Sequence, residues 1–417
     1  MSRCLACCVS LLAVAGCAVE AGSSSDGAGR GRGGGKADGT GSCSATCNGE
    51  GSDGTCYCDA SCTGYGDCCD DYAMYCGGGG GGGSAGSVPQ FGSSPSLAVL
   101  ATGADGLDVP RDLAFHPDRS NELWTVNQAT DGTVIVFDPG TSSQRTEERV
   151  DAFADHFMEE VSSIAFGAAN TFGTCQESRN TYNGLAPPND HMGPSLWPAD
   201  LDIYANENQD PRGALGGSHL DMLHQSPLCM GIAHDHANVY WVFDGLHGDI
   251  VRYDFQRDHG PGYSDHSDGI VRRFVEPDVR RMAGVPSHLE LDAASGWLYV
   301  ADTGNGRVLR LDTRSGRATG HLMPYGEPLE EYTRWEDATL ETVATGFDAP
   351  SGLALHDGRL FVSDAATGEI VALDPGTGSE LGRIDTGGQG IFGLTVGPDD
   401  KLYFVNGAED VLVRVDP

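Results

Sequence analysis

Basic side chains are scarce in this sequence. Its 417 residues hold 25 Lys and Arg against 60 Asp and Glu, a formal charge of −35. Such a chain would repel a nucleic-acid backbone and an anionic lipid surface alike, so neither is an expected partner. Long hydrophobic runs are missing too. The apolar stretch Leu5–Ala15 is about half of the ~20 residues a spanning helix needs, and no later segment is long enough either. Aromatic residues make up only 8%, yet hydrophobic residues at 39% suffice for a packed core, which excludes global disorder. What is abundant is glycine, with 61 residues, and cysteine, with 14. The glycines demand many turns or long linkers, and the cysteines point to an oxidising compartment. Length alone suggests roughly two or three domains.

The N-terminus reads as an export signal. Met1-Ser2-Arg3 is a short basic start, Leu5–Ala15 an apolar stretch, and Val14-Ala15-Gly16-Cys17 a small-residue cleavage site ending in cysteine. The surroundings of Cys17 resemble a bacterial lipoprotein signal. The resemblance implies that residues 1–16 are removed and that the Cys17 thiol carries a diacylglyceryl anchor. Ala18 follows, without the Asp that retains some lipoproteins at the inner membrane, so the expected address is the outer membrane, facing either the periplasm or the cell surface. Residues 17–41 form a Gly/Ser-rich stretch without apolar period, the composition of a flexible tether.

Eight cysteines follow in residues 42–76: Cys43, Cys47, Cys56, Cys58, Cys62, Cys68, Cys69 and Cys76. A module this small cannot bury enough apolar surface to offset chain entropy, so four disulfides are the natural inference, in a connectivity the spacing does not choose. Adjacent Cys68-Cys69 and the lack of histidine count against a zinc site. The spacing, with Cys56-Tyr57-Cys58-Asp59 and Tyr65-Gly66-Asp67-Cys68-Cys69-Asp70-Asp71-Tyr72, resembles a somatomedin B domain. That family implies a disulfide knot displaying a short helix and loop for protein binding, and carries a partner-binding role to Asp59, Tyr65 and Tyr72. Ser61 and Gly64 stand where larger residues occur in the family, so the partner expected here is a different one. Residues 77–95, opening with seven consecutive glycines from Gly77 to Gly83, mark a linker.

Residues 96–417 repeat. Five-residue apolar strands end in Asp or Asn at Asn127, Asn206, Asp244, Asp302, Asp364 and Asn406, and each is followed by a turn and a second apolar strand. A third strand precedes each pair, at 112–115, 163–166, 231–234, 288–291, 352–355 and 393–396, and its small or polar leading residue suits a strand crowding a central axis. Fourth strands are predicted at 271–275 and 340–344. The last copy stops with three strands, while Val99-Leu100-Ala101-Thr102-Gly103 matches the segment before the fifth copy, so residues 97–102 are expected to close a ring. Six four-stranded units in a closed ring make an all-β, six-bladed β-propeller. The terminal Asp and Asn read first as turn formers. Val300–Val308 and Ala349–Leu355 resemble NHL repeats, a family that implies the propeller but no single activity.

Chemistry is concentrated in one part of the ring. Nine of the 13 histidines lie between His191 and His288. On a strand, His219 and Asp221 would share one face and His224 the other. The loop with Asp258, His259, Asp265, His266 and Asp268 offers oxygens for Ca²⁺ or nitrogens for Zn²⁺. Asp112 and His288 are the only ionisable residues at the six leading inner-strand positions, and His234 lies close by in copy three. The candidate metal ligands are His219, Asp221, His234, Asp258, His259, Asp265, His266, Asp268 and His288. Pro286–Leu311 also resembles a repeat of the peptidylglycine amidating lyases, but His288 is displaced by one residue from that family's zinc histidine, which turns it to the other strand face. Cys175 and Cys229 are expected to form one disulfide pinning the insertion of residues 167–200 over the channel mouth, worth roughly 3–4 kcal/mol.

The expected function is an exported surface lipoprotein, monomeric and tied to the membrane by its lipid alone. It would bind an extracellular protein or glycan through its knotted module and its acidic propeller. The alternative is a metal-dependent extracytoplasmic lyase or hydrolase with its site near His219, His234, His259, His266 and His288. Residues 1–96 hold four basic and nine acidic side chains, net −5, so −30 of the −35 belongs to the propeller.

Overall fold

The computed structural model describes residues 95–417 together with Tyr57. The candidate residues Cys17, Asp59, Tyr65 and Tyr72 and the eight cysteines from Cys43 to Cys76 lie outside the described residues.

Residues 95–417 form a six-bladed β-propeller. Blade one comprises Pro110–Phe115, Glu122–Asn127, Gly132–Phe137 and Arg145–Arg149, each strand antiparallel to the next. Blades four, five and six repeat this order, with inner strands Leu289–Asp292, Pro350–His356 and Ile391–Val396. The first strands of neighbouring blades touch one another all the way around the axis. Closure comes from the N-terminal side, where Ser96–Ala101 pairs antiparallel with Val411–Asp416 to supply the outer strand of blade six. Small residues lead the inner strands because backbones meet there. A Cβ on Gly231 would collide with the Ser287 carbonyl, and one on Gly352 with the Phe392 carbonyl. Hydroxyls tie neighbouring blades at this radius, as when Ser162 Oγ donates to the Cys229 carbonyl at 2.7 Å and Ser351 Oγ to the Pro286 carbonyl at 2.9 Å. The strand-terminal acids do cap turns: Asp244 Oδ1 accepts from the Leu246 and His247 amides, and Asp364 Oδ1 from Ala349, Ala366 and Thr367.

Blade two departs from the predicted copy. Its strands are Val161–Phe166, Thr171–Gln176, Ser195–Pro198 and Asp221–Met222, whereas residues 202–206 lie in turns. The apolar pattern there has another cause. Tyr204 is fully buried from a turn, its ring packed on Trp124, Phe172 and Trp197 in the core between blades one and two. Blade three gains two strands that the repeat did not foretell. A hairpin inserted in blade four, Arg317–His321 and Glu331–Glu336, lays Glu331–Glu336 parallel to the blade-three strand Ile270–Phe274. Arg272 anchors it through an ion pair to Glu331 at 3.1 Å and a contact over the Trp335 ring at 5.1 Å.

Cys175 and Cys229 form a disulfide, with Cα atoms 5.1 Å apart. Its position differs from the one expected. Cys175 lies on the second strand of blade two and Cys229 on the inner strand of blade three, so the bond staples two adjacent blades within their shared core instead of fixing an insertion over the channel.

Candidate functional site

Among the cavities of the described residues, one on the axis and one at the rim carry clustered histidines. All six inner strands line the axial cavity of about 240 Å³, which displays Asp112, His234, His288, Glu290 and Thr395 among aliphatic side chains. Asp112 and His288 do meet, with His288 Nδ1 3.5 Å from Asp112 Oδ1. Burial decides their charge. It pushes the Asp112 carboxyl up to about 8, although the Ile164 and Leu113 amides donate to its two oxygens at 2.9 and 2.8 Å, and it drives His288 down to about 3. The contact is therefore between neutral groups at pH 7 and not an ion pair. Glu290, in the channel wall, is pushed up to about 7 by the same cause. His234 sits at the half-buried end of its strand, its Nε2 on the Ala237 carbonyl at 2.9 Å.

The rim cavity of about 310 Å³ lies off blade two, where the outer strand is only Asp221–Met222. Loops from four parts of the chain line it: Phe153, His156 and Phe157 from the turn entering blade two, Tyr182 and His191 from its long second loop, His219 and His224 flanking the short strand, and His266 from blade three. The expected strand alternation at 219–224 does not occur, because the strand is two residues long, and His219 and His224 line the same cavity.

Hydrogen bonds orient these rings. His266 Nδ1 donates to Asp221 Oδ1 at 2.8 Å, His224 Nδ1 to Glu327 Oε2 at 2.7 Å, His219 Nδ1 to the Gly216 carbonyl at 2.6 Å and His191 Nδ1 to the Tyr325 carbonyl at 3.3 Å. The carbonyls of Gly216 and Tyr325 can only accept, so His219 and His191 carry the hydrogen on Nδ1 and keep the Nε2 lone pair, whereas the Nδ1 atoms of His224 and His266 each face a carboxyl. Aromatic contacts hold the planes: His219 lies on Phe157 with centroids 3.5 Å apart, and His191 on His224 at 3.8 Å. Burial, reinforced by neighbouring imidazoles, takes His156 down to about 3, and burial takes His219 to about 4 and His224 well below its ordinary value. His266 is raised, because the Asp221 hydrogen bond and charge outweigh its own burial.

Of the candidate ligands, the rim therefore brings together His219, Asp221 and His266. His259 lies apart from its cavity lining and bonds Asp268 at 3.0 Å, while Asp258 and Asp265 cap the local turns at Gly260 and Ser267. His234 and His288 belong to the axis, so the five imidazoles grouped on the sequence divide between separate places. Four residues were not among the candidates: His156, His191, His224 and Glu327. The histidine density between 191 and 288 signals His191 and His224. Glu327 carries no such signal, since it arrives on the tip of the blade-four hairpin, where it also accepts from the His224 amide and from Gln225 Nε2, both at 2.7 Å.

Residues 41–79 match the family model of the somatomedin B domain, an extracellular module. No curated protein matches the chain. Among solved structures, an auxiliary nutrient binding protein from Bacteroides thetaiotaomicron is similar at 11% identity and a TM-score of 0.48, over 77% of this chain and 76% of that one. A virginiamycin B lyase from Staphylococcus aureus is similar at 11% identity and a TM-score of 0.45, over 78% and 100%. The calcium-binding protein regucalcin from Agrobacterium tumefaciens gives 13% and 0.47, over 77% and 93%.

Proposed function

We propose that the protein is an exported lipoprotein, anchored through Cys17, that works as a two-module binding protein outside the cytoplasm. The somatomedin B module recognises an extracellular protein or glycan, and the propeller takes a second ligand of its own in the rim cavity of blade two. The observation that carries this reading is that cavity: a concavity of about 310 Å³ lined by Phe153, Phe157, Tyr182 and five imidazoles, on a propeller whose chain also carries an extracellular module. Ligand sites are concave and largely apolar, with a few oriented polar groups, and the rim meets that description better than the axis, whose ionisable pair is buried and neutral. No helix of the described residues is long and apolar enough to cross a membrane.

The test uses a bacterial host fed labelled palmitate. The chain should take up label and fractionate with the outer membrane, and Cys17→Ser should lose both properties. The mature chain should then bind saturably on arrays of extracellular proteins and glycans. Absence of label sinks the anchor, and absence of any binding tighter than ~10 μM sinks the recognition role.

A further inference from the structure

We propose that His224, His266 and Glu327 hold a divalent transition-metal ion of the zinc type in the rim cavity, with Asp221 and Gln225 orienting the ligands. This deepens the reading of that cavity as the propeller's ligand site and rests on it. Among the described residues, these three form a group whose donor atoms all lie within 4.8 Å of one another. Donors of one tetrahedral ion bound at about 2.0–2.1 Å stand roughly 3.4 Å apart, so the three side chains would draw in around the ion on binding.

Three independent features point to a metal and not to a structural knot of histidines. The first is the support behind the ligands. His266 donates its Nδ1 hydrogen to the buried Asp221 and so presents Nε2, while Gln225 Nε2 and the His224 amide hold Glu327 Oε1; Glu327 Oε2 lies 2.7 Å from His224 Nδ1, and the ion would take the place of the proton those two atoms share. A carboxylate behind a ligating histidine fixes its tautomer and raises its basicity. The second is an unpaired donor beside the group. His219 is almost wholly buried, its Nδ1 is satisfied by Gly216, and its Nε2 has no hydrogen-bond partner although it lines the same cavity. A buried polar nitrogen without a partner is costly, and an ion or its bound water relieves that cost. The third is the chemistry of the donors. Two imidazoles and one carboxylate suit zinc or its first-row neighbours, whereas Ca²⁺ takes six to eight oxygens, which this group does not offer. With three protein ligands on one side and the cavity on the other, the ion would keep an open coordination position.

The full mature chain, with its disulfides intact, is stripped with chelator and titrated with Zn²⁺, and with Co²⁺ as a spectroscopic probe. The expected result is one equivalent bound tightly, with the intense visible absorption of a four-coordinate, nitrogen-containing Co²⁺ site. Asp221→Asn should weaken binding ~10–100-fold, and His224→Gln or His266→Gln by more. His356→Gln, remote from the rim, should change nothing. Should the histidine variants fail to fold, the Co²⁺ spectrum of the unaltered chain still decides, because surface carboxylates give only the weak spectrum of an octahedral oxygen site. A weak spectrum, or tight binding indifferent to Asp221→Asn, overturns the proposal. If no metal binds while an organic ligand saturates the cavity, the metal falls and the ligand-site reading stands; if neither binds, both fall.

Discussion

The axis and the rim of this propeller solve the problem of placing polar groups in opposite ways. On the axis, six equivalent strand positions converge, and the space each leaves is so small that Ser163, Gly231, Gly352 and Gly393 occupy four of them. Only Asp112 and His288 bring ionisable groups, and burial discharges both. At the rim, nothing is equivalent. Blade two has a two-residue outer strand, long second and third loops, and a neighbour lengthened by a hairpin from blade four. Five imidazoles, Asp221 and Glu327 collect there. Repetition thus supplies a rigid frame but limits what each copy can present, and chemically dense sites arise where the repeat is broken.

This contrast predicts where the propeller is vulnerable. The largest effect should come from the staple between blades two and three. Replacing Cys175 and Cys229 together by Ala removes a cross-link spanning 54 residues, worth roughly 4 kcal/mol on the loop-entropy account. Denaturant melts should show the loss, and the intact propeller should yield no reactive thiol from either cysteine. Two titratable thiols in the native propeller would remove the staple from the account.

Next in size is the tip of the blade-four hairpin. In metal-free protein, Glu327→Ala leaves the His224 amide, His224 Nδ1 and Gln225 Nε2 without their common acceptor, and all of these groups are buried or nearly so. The expected cost is about 2–3 kcal/mol, with faster proteolysis within residues 322–330. An unchanged melting temperature and cleavage rate would mean that the hairpin does not brace the rim.

The axis should respond to pH. Below about 4 the Asp112 carboxyl is protonated in both the folded and the unfolded chain and contributes no pH dependence. Between about 4 and 8 the unfolded chain releases that proton and the folded chain keeps it, so stability falls as pH rises, and the penalty saturates above about 8. Glu290, raised to about 7, adds to the same slope. Asp112→Asn removes the Asp112 part of the slope. It also costs about 1–3 kcal/mol at pH 5, because the amide nitrogen cannot accept from Leu113 or Ile164. Melts at pH 5 and 8.5 should therefore show the variant's deficit shrinking at the higher pH. A deficit equal at both values would mean that Asp112 is ionised in the fold.

The same contrast explains what could be read from the sequence. Ring closure was legible because Val99–Gly103 repeats a segment found before the fifth copy, and a repeated segment must occupy a repeated place. Blade two was not. The apolar residues of 202–206 imitate the strand signature, while the true second strand, Thr171–Gln176, ends in Gln and lacks it. At the rim, His219, Asp221 and His266 could be chosen from local histidine density, but the partners that orient the neighbouring His191 and His224, Tyr325 and Glu327, come from the blade-four hairpin. Glu327 lies 103 residues beyond the histidine it holds, and no local pattern reports such a partner.

The smallest effect tests the partition itself. His234 falls in the histidine-rich segment and was grouped with His219 and His266, yet it lines the axial cavity, and its imidazole bonds only the Ala237 carbonyl three residues on. Because that bond is local and at the half-buried end of its strand, His234→Gln should change stability by less than ~0.5 kcal/mol, as surface substitutions do. It should also leave Co²⁺ uptake at the rim unaltered, since neither its side chain nor its hydrogen-bond acceptor belongs to that cavity. If the substitution weakened metal uptake as much as His266→Gln, the axis and the rim would be one connected site, and the division drawn from blade two's broken repeat would be wrong.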